Sequence, residues 1–357
     1  MTRINRALEL MTRKQVDCVI IKDETTIRYL TGFTGDSSLL FLDRGEAVLI
    51  TDGRYTEQAK AQMKLVQVLE YPNEAASTIW QAAASLVRNG AYTRVGFDGA
   101  GYSFSDFSQL QQELAGSILE SLDFSGIRMI KDSRELDKLI KAASIADEAF
   151  YKLLDDIQPG RTERSLAARL EYYMRVLGGE KTSFDTIVAS GDRSALPHGV
   201  ASDKPVRVGD FVTFDFGTVY KGYCSDMTRT LVIGKAADWQ KEVYGVVEAA
   251  QKQGLKAAQP GMTGRELDEI VRKEIVAGGY GKYFVHGTGH GVGLEIHEMP
   301  TISKRGTTVL ETGMVFTIEP GIYIPGQGGV RIEDTVVLTE EGAKALNGVR
   351  KQLMEIV

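Results

Sequence analysis

Residues 211–228 read Phe211-Val212-Thr213-Phe214-Asp215-Phe216-Gly217-Thr218-Val219-Tyr220-Lys221-Gly222-Tyr223-Cys224-Ser225-Asp226-Met227-Thr228. Apolar and β-branched residues mark the start of this stretch as a strand, a setting that does not normally hold an acid. Asp215 and Asp226 stand eleven residues apart, and Tyr220-Lys221-Gly222-Tyr223 between them supplies turn chemistry. Two antiparallel strands joined there present both carboxylates on one face. An acid buried in such a strand must be paired or metal-bound, because burying a bare carboxylate costs too much. Taken alone, the pair reads equally as a surface hairpin with two solvated aspartates.

The pattern returns downstream. Met314-Val315-Phe316-Thr317-Ile318-Glu319-Pro320-Gly321 again carries one acid in an apolar strand, and Gly329-Val330-Arg331-Ile332-Glu333-Asp334 places another before Val336-Val337-Leu338. Gly209 lies six before Asp215 and Gly217 two after it; Gly313, Glu319 and Gly321 keep that spacing, and Asp226 with Thr228 matches Glu333 with Thr335. Upstream, Pro159-Gly160-Arg161-Thr162 with Leu166 recurs as Pro260-Gly261-Met262-Thr263 with Leu267. Each copy then runs through a helical segment to a glycine pair, Gly178-Gly179 or Gly278-Gly279. Each goes on to a His-Gly, at His198-Gly199 in one copy and at His286-Gly287 and His290-Gly291 in the other. The ordered series indicates a duplicated helix-plus-hairpin unit, each copy ending in two carboxylates. Four converging carboxylates repel unless cations sit among them. Four oxygen donors with one imidazole suit two divalent ions, Mn²⁺ or similar, better than a thiolate-type zinc site. Bridging carboxylates hold such ions roughly 3.5–4 Å apart, where they share and acidify one water.

The chain has four histidines, His198, His286, His290 and His297, all in or beside the glycine-flanked turns of the repeat. Glycine there lets backbone approach a ligand closely. One histidine can ligate metal while the others stabilise an oxyanion or move protons near neutral pH. The run is not H-E-x-x-H, and Gly287, Gly289, Gly291 and Gly293 do not have dinucleotide-loop spacing.

Working outward, residues 3–14 read as a helix, Cys18-Val19-Ile20-Ile21 as a strand, and residues 39–42 and 47–50 as a pair of strands around Asp43-Arg44-Gly45. A helix from Tyr55 to about Met63 and a strand at 95–98 complete an α/β pattern. Asp132 and Glu135 signal a capped helix, with Leu136, Leu139, Ile140, Ala143, Phe150 and Leu154 at helical spacing. The expected division is an α/β N-terminal domain at 1–125 and a repeat-containing α+β domain at 126–357. Trp80 and Trp239 read as packing residues. Net charge is −6 over 357 residues with both signs interspersed, which gives no nucleic-acid footprint. Cys18 and Cys224 match no disulfide or zinc spacing, no apolar run reaches about 18 residues, and the N-terminus lacks a signal-peptide core. A cytoplasmic protein without membrane association is expected.

The strings FDFGTVYKGYCSDMTRT, VHGTGHGVGLEIHE, TIEPGIY and GVRIEDTV resemble the dinuclear peptidases of the pita-bread fold, which include methionine aminopeptidase, aminopeptidase P and prolidase, with creatinase as a metal-free relative. IRYLTGFTGDSSLLFL and TDGRYTEQA resemble the creatinase-like N-terminal domain of aminopeptidase P and prolidase. The resemblance implies a pita-bread domain with a pseudo-twofold repeat, and metal ligands Asp215, Asp226, His290, Glu319 and Glu333. It implies two divalent ions, Mn²⁺ foremost with Co²⁺ or Zn²⁺ as alternatives, and a homodimer. The implied activity is hydrolysis of the Xaa-Pro bond of dipeptides or short proline-containing peptides by a metal-bridging hydroxide. An aminopeptidase P-type enzyme on longer peptides and a non-hydrolytic binding member are the alternative readings. On the same footing Asp226 and Glu333 bridge, Glu319 shuttles protons, and His286 or His297 stabilises the oxyanion. His198 faces the residue after the scissile bond. Arg331 orients ligands or the substrate carboxylate, or else forms a supporting salt bridge, and Thr228 supports the ligands. Arg54 is structural or reaches a neighbouring subunit.

Overall fold

The computed structural model describes residues 3–64 and 66–356; Met1, Thr2, Leu65 and Val357, which include the outer ends of both expected domains, lie outside the described residues. The chain divides into two compact units, Met1–Arg128 and Met129–Val357.

The first unit runs α1 (Arg3–Lys14), β1 (Cys18–Ile21), α2 (Glu24–Thr31), β2 (Ser38–Leu42), β3 (Ala47–Asp52), α3 (Thr56–Gln62), β4 (Gln67–Tyr71), α4 (Ile79–Asn89), β5 (Arg94–Asp98), α5 (Phe104–Glu113) and β6 (Ile118–Leu122). Its sheet has the order β4-β3-β2-β1-β5-β6. Strands β1, β2 and β3 are almost wholly buried, which is why they stand out as apolar runs. The edge strands β4 and β6 are half exposed and carry Glu70 and Glu120, so no apolar run announces them. Trp80 packs in this core with Cys18.

The second unit opens on α6 (Ser133–Leu154) and α7 (Glu163–Val176). It continues through β7 (Lys181–Thr182), β8 (Ile187–Ser190), β9 (Phe211–Phe216), β10 (Thr218–Tyr220), β11 (Tyr223–Cys224) and β12 (Met227–Ile233) to α8 (Asp238–Ala257) and α9 (Gly264–Ala277). Then come β13 (Gly289–Gly291), β14 (Glu298–Ile302), β15 (Val315–Ile318), β16 (Gly321–Ile324), β17 (Gly328–Arg331), β18 (Asp334–Thr339), β19 (Gly342–Ala345) and β20 (Met354–Ile356). Asp132 and Glu135 form a reciprocal capping box at the start of α6. Leu139, Ala143 and Phe150 lie on its buried face, whereas Ile140, counted with them from the spacing, is exposed on the other side.

The internal repeat has a direct physical meaning. Gly160 and Gly261 take φ of 92° and 93°, and the threonines two residues later cap α7 and α9. Pro-Gly-x-Thr is therefore a left-handed turn followed by an N-cap, used twice. Each copy then builds an antiparallel triplet: β8-β9-β12 in a sheet ordered β20-β12-β9-β8, and β13-β15-β18 in a sheet ordered β14-β13-β15-β18-β19. Phe150 of α6 stacks on Phe216 and meets Phe214 edge-on, which ties the first helix pair to β9.

The stretch between Asp215 and Asp226 is more elaborate than one turn. Lys221 and Gly222, with φ of 47° and 85°, turn β10 into β11 as a ribbon beside β7, while β9 pairs with β12. Asp215 lies opposite Thr228, so Asp226, two residues before Thr228, projects from the same face as Asp215. In the second copy Thr317, not Glu319, faces Thr335, and Glu319 sits just beyond the end of β15.

Candidate metal centre

Asp215 is carried by central strand β9, Asp226 by the entry to β12, His290 by β13, Glu319 by the exit from β15, and Glu333 by the link between β17 and β18. The ends of these strands converge on one cavity of roughly 430 Å³, which is also lined by His198, His286, His297 and Arg331. All nine residues singled out as ligands or reaction partners thus meet in one place, and the volume falls in the range of small-ligand pockets.

The glycines that flank the histidines have a packing reason that their spacing does not show. A side chain at Gly289 would come within 1.9 Å of the Thr317 carbonyl oxygen, and one at Gly291 within 2.2 Å of the Met299 carbonyl oxygen. The close approach at these two positions is strand to strand, and Gly287 and Gly289 also line the cavity. It is this tight packing of β13 between β14 and β15 that fixes His290.

The donor atoms are spaced for an ion between them. His290 Nε2 lies 3.5 Å from Asp226 Oδ2 and 3.6 Å from Glu319 Oε1, too far for hydrogen bonds. Ligands roughly 2.0–2.2 Å from a shared cation stand about 3–3.5 Å from one another. Asp226, His290 and Glu333 each offer an atom within 4.8 Å of the others'. Asp215 Oδ1 is buried and has no hydrogen-bond partner among the described residues. An oxygen-rich donor set with one imidazole and an orphaned buried carboxylate oxygen fits divalent cations.

Electrostatics says the same. Burial, then the charges of Glu333, Asp215 and Glu319, push the Asp226 carboxyl well above the usual carboxylate range. Burial and the charges of Glu319 and Asp215 do so for Glu333. Burial raises Glu319 to about 8, against the pull of Arg331. His290 is held down to about 4, chiefly by burial with His297 beside it, so it presents the neutral ring that a metal requires.

The supporting bonds are made by residues remote in sequence. Thr228 Oγ1 donates to Glu333 Oε2 at 2.7 Å. Arg331 donates to Asp215 Oδ2 at 2.5 Å, to Thr228 Oγ1 at 3.0 Å, to Tyr323 OH at 2.6 Å and to the Pro197 carbonyl at 3.1 Å. Buried and committed to these four partners, Arg331 holds Asp215 in place and has little left for any further carboxylate. Nothing in TIEPGIY distinguishes Tyr323 from a core aromatic. Its hydroxyl also bonds His286 Nε2 at 2.8 Å, while His286 Nδ1 meets the Gly287 carbonyl at 2.7 Å. Burial and Arg331 lower His286 to about 4, so the neutral ring donates from Nδ1 and accepts the tyrosine proton at Nε2. Both of its nitrogens are occupied. His198 and His297, in contrast, are exposed and make no side-chain hydrogen bond among the described residues. Trp239 packs edge-on against Phe211, and Arg54, exposed, bonds Asp52 and Ser37.

A pH effect follows from these shifts. Asp226, Glu319 and Glu333 keep protons in the metal-free fold above their ordinary values of 3.8 and 4.5, so their contribution to stability falls as pH rises towards about 8. His286 and His290, lowered from 6.5 to about 4, act in the opposite sense below 6.5. Above 6.5 the histidine contribution fades and the raised carboxyl groups, joined up to about pH 7 by the buried Asp98, set the trend. Metal-free protein is expected to melt at a lower temperature at pH 8 than at pH 6.5, and its affinity for Mn²⁺ to rise over that interval. Thermal melts at both pH values, with and without Mn²⁺, check this; a metal-free melting temperature that rises from 6.5 to 8 would contradict it.

Residues 137–340 match the model of metallopeptidase family M24, and residues 3–135 match the creatinase/prolidase N-terminal domain. An uncharacterized peptidase of Bacillus subtilis is 44% identical over 99% of both chains, and an Xaa-Pro dipeptidase of Pyrococcus furiosus is 42% identical over 99% of both. Among solved structures, an Xaa-Pro dipeptidase from Bacillus anthracis superposes with a TM-score of 0.94 at 42% identity, covering 99% of each chain. An X-Pro aminopeptidase from Thermotoga maritima gives 0.91 at 38% identity, covering 99% of this chain and 100% of that one.

Proposed function

The chain belongs to metallopeptidase family M24, with a creatinase-like N-terminal domain before a pita-bread domain, and from that premise we propose that it hydrolyses the Xaa-Pro bond of dipeptides and short peptides. The observation that carries this reading is the convergence of Asp215, Asp226, Glu319, Glu333 and neutral His290 on one cavity, with a carboxylate oxygen of Asp215 left unbonded among the described residues. These five residues would hold two divalent ions, Mn²⁺ foremost, with Asp226 and Glu333 shared between them. When bound, such ions supply an acidified water and Lewis acidity towards the scissile carbonyl.

The chain's own groups have separable tasks. Arg331 holds Asp215, and Thr228 holds Glu333, so two carboxylates are oriented before a substrate arrives. Glu319, its Oε1 3.6 Å from His290 Nε2 at the cavity wall, accepts a proton from the attacking water and returns it to the departing amine. His297, its ring centroid 4.3 Å from that of His290 and its edge exposed, donates to the developing oxyanion. His198, exposed and lining the same cavity, faces the residue after the scissile bond. His286 is assigned a supporting part, since Tyr323 and Gly287 occupy its ring. The same reading includes a homodimer in the cytoplasm; the two cysteines, buried and unpaired, are consistent with a reducing compartment. Among the described residues no helix is long and apolar enough to cross a membrane.

Dipeptidase and aminopeptidase activities are separated by one assay. With added Mn²⁺, Ala-Pro is expected to be turned over with higher kcat/KM than Ala-Pro-Ala, in line with the Xaa-Pro dipeptidases among the relatives. Preference for Ala-Pro-Ala would move the chain to the aminopeptidase reading that the Thermotoga maritima structure represents.

A further inference from the structure

Each half of the second unit contains a fully buried carboxylate that does not line the cavity: Glu163, the first residue of α7, and Asp268, within α9. Glu163 Oε1 accepts from the backbone nitrogen and the hydroxyl of Ser190, both at 2.8 Å. Its Oε2 accepts from the nitrogen and hydroxyl of Ser202 at 3.0 and 2.6 Å, and pairs with Arg193 Nη1. Arg193 Nη2 in turn donates to the Val200 carbonyl at 2.9 Å. The loop is therefore fastened on both sides of His198.

The second half uses the same plan. Asp268 Oδ1 accepts from the nitrogen and hydroxyl of Thr288 at 3.0 and 2.9 Å, and both its oxygens bond Arg272 at 3.1 Å. Arg272 donates to the carbonyls of Phe284 at 3.0 Å and of His286 at 2.7 Å. In both halves a helix carboxylate takes the N–H and hydroxyl of a loop residue. An arginine bound to it grips a loop carbonyl, and a histidine lies between the grips. The residues are not equivalent in the repeat. Glu163 directly follows its cap, Thr162, whereas Asp268 lies five beyond Thr263. One arginine comes from the loop and the other from the helix. A search for self-similarity does not find them, because the duplicated property is a hydrogen-bond pattern and not a residue order.

We infer that Glu163 and Asp268 are positioning residues, each setting the histidine of its own half: Glu163 fixes His198 and Asp268 fixes His286. A buried carboxylate with four or five donors around it is rigid, and its amide cannot accept from all of them, because the NH₂ end meets donors. Glu163→Gln and Asp268→Asn thus keep the volume and release one side of each loop. A displacement of about 1 Å in a reacting group lowers turnover by as much as about a hundredfold.

The activity test rests on the peptidase reading. In Mn²⁺-loaded full-length protein, E163Q is expected to lower kcat/KM for Ala-Pro by about tenfold or more, and to add less than about twofold in an H198A background. In an H286A background it should keep its whole effect, and D268N should show the mirror image. Effects that multiply within a half as freely as between halves would overturn the inference, since a general loss of fold multiplies everywhere. A second readout needs no turnover. The chain has four histidines, so their imidazole ¹H–¹⁵N signals can be told apart. E163Q should move that of His198 most and D268N that of His286; equal shifts in both variants would overturn it. A wild-type chain inactive on Ala-Pro would count against the peptidase reading and leave the imidazole shifts to decide. Should either variant fail to fold, Ser202→Ala and Thr288→Val remove one hydroxyl bond each, and the same pattern is expected at smaller amplitude.

Discussion

Asp226→Asn and Glu333→Gln are each expected to lower kcat by more than about a thousandfold, the scale on which single members of a catalytic unit act. Metal content should fall below two ions per chain. Asp226 and Glu333 are almost fully buried and each is raised well above the usual carboxylate range by burial and by the other acids of the cavity. Their charge is tolerable only beside cations, and an amide supplies one oxygen without that charge. Glu333→Gln keeps an acceptor for Thr228 Oγ1, now 2.7 Å away, so its loss would report on the metals more than on the fold. Elemental analysis of the purified variants, together with kcat on Ala-Pro, decides the matter. Two ions per chain at an ordinary rate in either variant would remove these residues from the shared position.

Exhaustive removal of divalent metal should take turnover to background, and Mn²⁺ should restore it. It should also destabilise the fold. A ligand at a hundred times its Kd adds about 2.7 kcal/mol to the folded state, and here it also relieves repulsion among four carboxylates. A melting temperature measured after chelation and again after Mn²⁺ addition is expected to rise, most at pH 8. Full activity on Ala-Pro in metal-free protein would sink the two-metal reading. Undiminished Ala-Pro binding without turnover in the metal-loaded chain would favour a non-hydrolytic member of the fold.

The legible parts of the molecule are those whose physics is local. An acid inside an apolar strand violates a composition rule at one position, so Asp215 and Glu319 could be picked out singly. The Pro-Gly-x-Thr signals are a left-handed turn and a cap, both decided within four residues, and they carried the repeat. The buried strands β1–β3 were plain as apolar runs, while β4 and β6 were hidden by their exposed edges. The glycines around His290 stand out in the sequence, but only the fold shows that Gly289 and Gly291 admit the neighbouring strands' carbonyl oxygens.

By itself the sequence determined which chemical groups the repeat carries and how often each unit recurs: two strand acids per copy, four histidines in or beside its turns, and two capped helices leading into two hairpins. Residue type and spacing settle such matters because strand, turn and cap depend on neighbours a few positions away. The tertiary structure alone decided how those groups are used. Arg331 reaches Asp215 across 116 positions and Thr228 reaches Glu333 across 105, and the bond between His286 and Tyr323 spans 37. Those bonds close the ring of His286 and leave His198 and His297 facing the cavity. They also commit Arg331 to Asp215 and Thr228. The direction of a side chain depends on partners that only folding brings within about 3 Å, and no period in the sequence encodes it.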